Sequence, residues 1–138
     1  EERVLRITRL LESAGVEVLG GKAEPLLPLS HSRALCIREG IFSADTVLVP
    51  LEDGDRCEAL VGMGKRVIAI DLNPLSRTAR AATLTIVDEL TRALPNITAA
   101  CREIGPAEGE RLMNFPDNRY FLRAALEEMR GHLEHALD

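Results

Sequence analysis

Three short runs decide the fold: Thr46-Val47-Leu48-Val49, Val67-Ile68-Ala69-Ile70 and Leu84-Thr85-Ile86-Val87. Each is almost wholly apolar and rich in β-branched residues, the pattern of a strand buried on both faces. Each run ends at a breaker or an acidic residue: Pro50, then Asp71-Leu72-Asn73-Pro74, then Asp88. A helix is predicted from Cys57 to Met63, ending at Gly64, and a second, short one after Thr78. Buried strands alternating with helices imply an α/β fold, a doubly wound, Rossmann-like parallel sheet flanked by helices.

Upstream, Val4, Ile7, Leu11 and Ala14 fall on one face of a helix over Glu1 to Ala14, with Leu10 beside them, and Gly15 ends it. Val16 to Leu19 is predicted as a short strand, Gly20 to Ser30 as an irregular connection, and His31 to Ile41 as an ambiguous helix. Downstream, Asp88 is the expected N-cap of the next helix, which Pro95 should kink or restart because proline has no amide donor. Gly105 to Pro116 reads as a loop. Asp117 can cap a last helix with an apolar stripe of Leu122, Leu126, Met129, Leu133 and Leu137. With no repeat, low-complexity stretch or linker, residues 1–138 are expected to form a single domain. The chain opens inside a helix without the strand a βα unit would place before it. Either that strand belongs to a longer protein or the helix is a natural N-terminus.

Composition narrows the function. The 138 residues are 46% hydrophobic and 28% charged, which argues against disorder. Seventeen basic against 22 acidic residues give a net charge of -5, so neither nucleic acid nor an anionic membrane is an expected partner. No run approaches the ~18–20 apolar residues of a membrane span. No secretory leader is evident, and three widely spaced cysteines fit a reducing, cytoplasmic compartment better than a disulfide framework or a zinc site.

In an open parallel sheet, ligands bind beyond the carboxyl ends of the strands. Here these ends deliver Glu52, Asp53, Asp55 and Arg56; then Asp71, Asn73, Ser76, Arg77 and Thr78; then Asp88 and Glu89. Pro74 stiffens the second loop, and Ser76 or Asn73 could cap the helix behind it. Arg77 then falls in a first helical turn, where the helix dipole mildly disfavours a cation. An anion held by Arg77, the Thr78 hydroxyl and free amides would explain that placement; a solvated surface arginine is the alternative. Asp71 suits a ribose hydroxyl or Mg²⁺, or is a turn aspartate. Asp53 and Asp55 could orient Mg²⁺ or a protonated amine, or form an Asp-Gly turn with Asp55 as a helix cap, and Arg56 could pair within its own loop.

Other candidates are weaker. His132 and His135 lack a third metal ligand and read as a solvated helix end. Cys57 follows an acidic loop that should not lower its pKa, so it is not expected to be a nucleophile. Asn96-Ile97-Thr98 matches a glycosylation sequon without other signs of secretion, and there is neither a Gly-x-Gly-x-x-Gly fingerprint nor a P-loop.

Taken together, the runs from Thr46 to Arg56, Glu58-Ala59-Leu60, Lys65 to Ala79, Thr85 to Asp88 and Arg92 to Ile97 are highly specific. They resemble the archaeal 4-phosphopantoate–β-alanine ligases, or phosphopantothenate synthetases. The resemblance covers nearly the whole chain and matches the C-terminal half of the family's protein. It implies an enzyme of coenzyme A biosynthesis that converts ATP and 4-phosphopantoate to an acyl-adenylate and pyrophosphate. The amine of β-alanine then attacks, releasing AMP and 4′-phosphopantothenate. It also implies Mg²⁺, a homodimer, and ATP contacts at Asp71, Leu72, Asn73, Arg77, Thr78, Glu89 and Leu90. No catalytic residue or metal ligand is assigned. Glu89 stands where the family often has Asn, so a contact there would run through the backbone or toward adenine or ribose. Cys57 stands where the family usually has Thr, which removes a hydroxyl from a helix head. The chain alone is expected to be inactive, because further arginines lie in the family's N-terminal half. Two other readings stay open: a non-catalytic adenine-nucleotide-binding module, and an enzyme using another adenosine cofactor on a similar sheet.

Overall fold

A computed structural model describes residues 2–20, 22–51, 53–112, 117–134 and 136. The chain divides into two compact units, Glu1–Ala44 and Asp45–Asp138.

In the first unit, α1 (Glu2–Ser13) ends as the sequence predicts. Gly15 takes a positive φ of 79°, and Val16 N–H returns to the Leu11 carbonyl at 3.0 Å, satisfying the helix end. The expected apolar face forms within this unit, and Val4, Leu5, Ile7 and Leu10 are exposed on it. Residues 16–19 are not a strand: among the described residues no strand pairs with them. The ambiguous segment resolves into a 3-10 turn, His31–Ala34, a two-residue strand and a π-helical turn, Arg38–Phe42. That strand, β2 (Leu35–Cys36), pairs antiparallel with β1 (Glu24–Pro25). Arg38 pairs with Glu24 at 3.1 Å and lies over the Phe42 ring.

The second unit carries the predicted sheet. β3 (Thr46–Val49), β4 (Arg66–Ile70) and β5 (Leu84–Ile86) lie side by side in chain order, all parallel. Val49 sits opposite Ala69, and Ile70 opposite Ile86, so the three strands end at nearly the same level. α2 (Gly54–Gly62) and α3 (Arg77–Ala81) are the crossovers; they pack on each other and on β4. The core is Cys57, Leu60, Val67, Ala69, Ile70 and Ala79, each 3% exposed or less. Fully burying a leucine or valine contributes about 1.5–3 kcal/mol, so Leu60 and Val67 are among the strongest single contributors to this core. The α/β class and the parallel sheet are as predicted. β3 is less buried than its composition implies: it is one of the two edges of this sheet, and Leu48 is 43% exposed.

Three further boundaries differ from expectation. α4 (Leu90–Glu103) runs through Pro95 without a break, and its N-cap is Glu89 rather than Asp88. Pro95 is the sixth residue of the helix, so the Thr91 carbonyl forgoes the amide it would otherwise accept, and the helix carries that loss without ending. The predicted loop after Gly105 contains α5 (Pro106–Leu112), whose proline sits at the first helical position, where its fixed φ helps. Residues 113–116 lie outside the described residues. Asp117 caps α6 (Asn118–Leu133), accepting from Tyr120 N–H as predicted.

Asn118 fastens α6 to α3. Its amide donates to the Ala79 carbonyl at 2.7 Å and the Ala82 carbonyl at 3.0 Å. Asn118→Ala should therefore destabilise the chain by about 1–3 kcal/mol, read from urea unfolding, because the Ala82 carbonyl loses this donor and the Ala79 carbonyl keeps only the Thr85 hydroxyl.

Candidate nucleotide site at the strand ends

The level ends of β3, β4 and β5 enclose a cavity of about 220 Å³. Pro50 and Leu51 line it from the first strand, Asp71 and Leu72 from the second, and Asp88, Glu89 and Leu90 from the third. Typical ligand pockets are about 300–1,000 Å³, so this one suits one end of a larger ligand. Its charged walls are acidic and its other walls are apolar.

Asp71 organises the second loop. Its Oδ1 accepts from Asn73 N–H at 2.9 Å, and its Oδ2 accepts from the Ser76 hydroxyl at 2.5 Å. Asn73 Oδ1 in turn accepts from Leu75 N–H at 3.0 Å. The Ser76 oxygen also accepts from Ala79 N–H at 2.9 Å, which makes Ser76 the cap of α3. Of the two capping candidates in the sequence, Ser76 takes the role and Asn73 shapes the turn.

At the third strand, Asp88 accepts from Glu89 N–H and pairs with Arg92. The Glu89 carboxylate caps α4, accepting from Thr91 N–H, the Thr91 hydroxyl and Arg92 N–H. The Arg92 hydrogen bond first, then the Glu89 amide, hold the Asp88 pKa below the usual carboxylate range. The Thr91 hydroxyl and then the Thr91 amide do the same for Glu89. A carboxylate whose folded pKa is depressed stabilises fully above its unfolded pKa, about 4, and this is lost as pH falls through the folded value. Melting temperature should therefore drop in acid below about pH 4. Asp88→Asn with Glu89→Gln should flatten that acid limb in a thermal melt series.

The first loop goes elsewhere. Asp53, not Asp55, caps α2 by accepting from Arg56 N–H at 3.2 Å, because the helix starts at Gly54. Arg56 lies 3.8 Å from Asp53, a pairing within its own loop. Asp55 reaches Arg77 at 2.6 Å, and Glu58 reaches the same guanidinium at 3.1 Å. These bonds, Glu58 first, push the Arg77 pKa further up. The anion the sequence asks for at Arg77 is thus supplied, in this state, by the chain's own carboxylates. Thr78 is fully buried, and its hydroxyl has no hydrogen-bond partner among the described residues. Asp71, Leu72, Glu89 and Leu90 come together at the strand ends, while Arg77 lines a different cavity. Glu52 and His135 lie outside the described residues.

Reasoning from the sequence missed three participants. Glu58 is one of the two carboxylates on Arg77, and only its spacing of three residues from Asp55 hints at it. Gly54 is the second: a Cβ there would stand 2.8 Å from Arg77 Cβ, so only glycine lets the two helices approach this closely. Asn118 is the third, and its reach of 39 residues leaves no local signal. Cys57 is buried against the Thr78 carbonyl, and burial, then Glu58 and Asp53, raise its thiol pKa. It is an inert packing residue, as expected. His132 is exposed and bonded to Glu128, a solvated helix end.

No group of three or more described His, Cys, Asp or Glu residues could hold a metal. Asp71, Asp88 and Glu89 already accept hydrogen bonds from their own loops. They do not fit a resident Mg²⁺, which needs near-ideal octahedral geometry. No described helix is long and apolar enough to cross a membrane.

Residues 1–132 match the family model described as phosphopantothenate/pantothenate synthetase. The chain belongs to that family. Among curated relatives, the 4-phosphopantoate–β-alanine ligase of Methanospirillum hungatei is 49% identical over 138 residues, all of this chain and 57% of the relative. Those of Methanosarcina mazei and Thermococcus kodakarensis are 50% and 45% identical, covering 94% and 96% of this chain and 53% of each relative. The chain therefore spans about half the length of the relatives it matches.

Proposed function

We propose that this chain carries the adenine-nucleotide end of an ATP-dependent ligase joining 4-phosphopantoate to β-alanine. The observation that carries the reading is the cavity walled by the ends of all three parallel strands, in a chain of this family. Asp71 can accept from a ribose hydroxyl, and Leu72 and Leu90 offer apolar walls to adenine. Asn73 stands in the same turn as Asp71. Glu89, spent on its helix cap, would serve ribose or adenine rather than phosphate.

The reaction is an acyl transfer in two steps. A carboxylate oxygen of 4-phosphopantoate attacks the α-phosphorus of ATP, and pyrophosphate leaves. The β-alanine amine then attacks the acyl carbon, loses a proton, and expels AMP to leave an amide. The first step needs in-line alignment and cationic neutralisation of the leaving pyrophosphate. Arg77 can contribute once Asp55 and Glu58 release it, and Thr78 only if its enclosure opens. In this reading the protein is a cytoplasmic homodimer, and Mg²⁺ is not held by these residues alone.

Titration of the intact protein with Mg-ATP tests the site: Asp71→Ala and Arg77→Ala should each weaken binding at least tenfold, and unchanged binding in both removes the assignment. Pyrophosphate release with 4-phosphopantoate tests the activity, and residues 1–138 alone should form no 4′-phosphopantothenate. The engagement of Arg77 by two carboxylates favours one second reading, a nucleotide-binding module without catalysis. It predicts AMP binding by the intact protein with no pyrophosphate release.

A further inference from the structure

A second cavity, of about 580 Å³, lies where α3 meets α6 and α2. Its charged lining is Arg77 and Arg80 from α3, Arg119 and Arg123 from α6, and Glu58 from α2. Four guanidiniums face one carboxylate, in a chain whose net charge is -5. The cluster is thus not a sample of a generally basic surface. Glu58 and Asp55 are committed to Arg77. Arg80, Arg119 and Arg123 have no ion pair or side-chain hydrogen bond among the described residues; Arg3, Arg9, Arg66 and Arg102 also show none, but only these three unpaired arginines line one cavity together. Arg119 also stands in the first turn of α6, where the helix dipole adds positive potential instead of relieving it. Asp117, the cap of that helix, and Tyr120 share a neighbouring hollow with Arg119 and Arg123. Asp117 accepts from the Tyr120 amide.

Like charges held in one concavity repel unless an anion joins them. All four cations are arginines, whose planar fork of donors matches phosphate oxygens two at a time. The geometry points to a phosphate site here, separate from the strand-end cavity: Arg80, Arg119 and Arg123 take the phosphoryl end of a small molecule, a phosphate monoester or a diphosphate. The three side chains are exposed, so the site is open to solvent and their removal leaves the core intact. This inference does not depend on the ligase reading.

The test is calorimetric titration of the intact protein with pyrophosphate, with glycerol phosphate and, as a control for the strand-end cavity, with adenosine. Arg119→Ala with Arg123→Ala should weaken binding of at least one phosphate probe tenfold or more, leaving adenosine binding and the melting temperature unchanged. The stronger probe tells diphosphate from monoester. Crystals soaked in tungstate, a heavy phosphate mimic, should show it within reach of Arg80, Arg119 and Arg123. Unaltered affinity for both phosphate probes in the double variant overturns the proposal. So does a structure of the intact protein in which a carboxylate of a second copy or of another segment fills the cavity. Loss of adenosine binding alone would count against the nucleotide reading and leave this site standing.

Discussion

Asp71→Ala should lower adenine-nucleotide affinity between ten- and a hundredfold and destabilise the chain by about 1–2 kcal/mol. Two effects add. The carboxylate offered to the ribose disappears, and a hydrogen bond to a charged group contributes about 1.5–3 kcal/mol. The Ser76 hydroxyl and the Asn73 amide also lose their shared acceptor, so the turn that presents Leu72 is no longer fixed. Asp71→Asn separates the two. It keeps one acceptor oxygen, so most of the stability should remain while affinity still falls. Titration with AMP beside urea unfolding of both variants measures the split. Equal affinity in the wild type and both variants would mean that Asp71 is only a turn residue.

Gly54→Ala should destabilise by about 1–3 kcal/mol, the usual range for inserting a methyl group into a packed contact. The new Cβ would meet Arg77 Cβ at 2.8 Å, and that atom is fixed to the backbone and cannot swing aside. Helix propensity works the other way, since alanine is favoured over glycine by about 0.8–1.0 kcal/mol in a helix interior, but less at a first position. Packing wins. Gly62 in the same helix is the control: nothing lies within 4 Å of a Cβ there, so Gly62→Ala should be neutral or stabilising. The denaturant midpoint should fall for Gly54→Ala and hold or rise for Gly62→Ala. Gly54→Ala should also loosen Arg77 from Asp55 and Glu58, raising the salt sensitivity of anion binding.

The sheet was legible because its three runs are apolar throughout, and that pattern does not depend on distant partners. The caps at Ser76 and Asp117 were legible for the same reason: a side chain and an amide three residues on make a local bond. Residues 16–19 misled because β-branched content alone reads as a strand, while pairing is decided by residues far away. Helix α5 was hidden by two glycines that composition reads as loop. At the candidate site, Asp71, Leu72, Glu89 and Leu90 could be grouped because parallel strands of matched register must end together. The separation of Arg77 from that group could not, because it turns on Asp55 and Glu58 from another helix. The arginines of α6 were missed because they lie about 40 residues from those of α3 and share no motif.

Ser76 ties the strand end to the helix that follows through one oxygen, which gives its proton to Asp71 and takes one from Ala79. That atom works like the pin of a clasp. A ligand that draws the Asp71 carboxylate toward itself tugs on the head of α3, the residue next to Arg77. Cutting the pin with Ser76→Ala would free both halves together, while threonine, which keeps the hydroxyl, should leave the clasp shut.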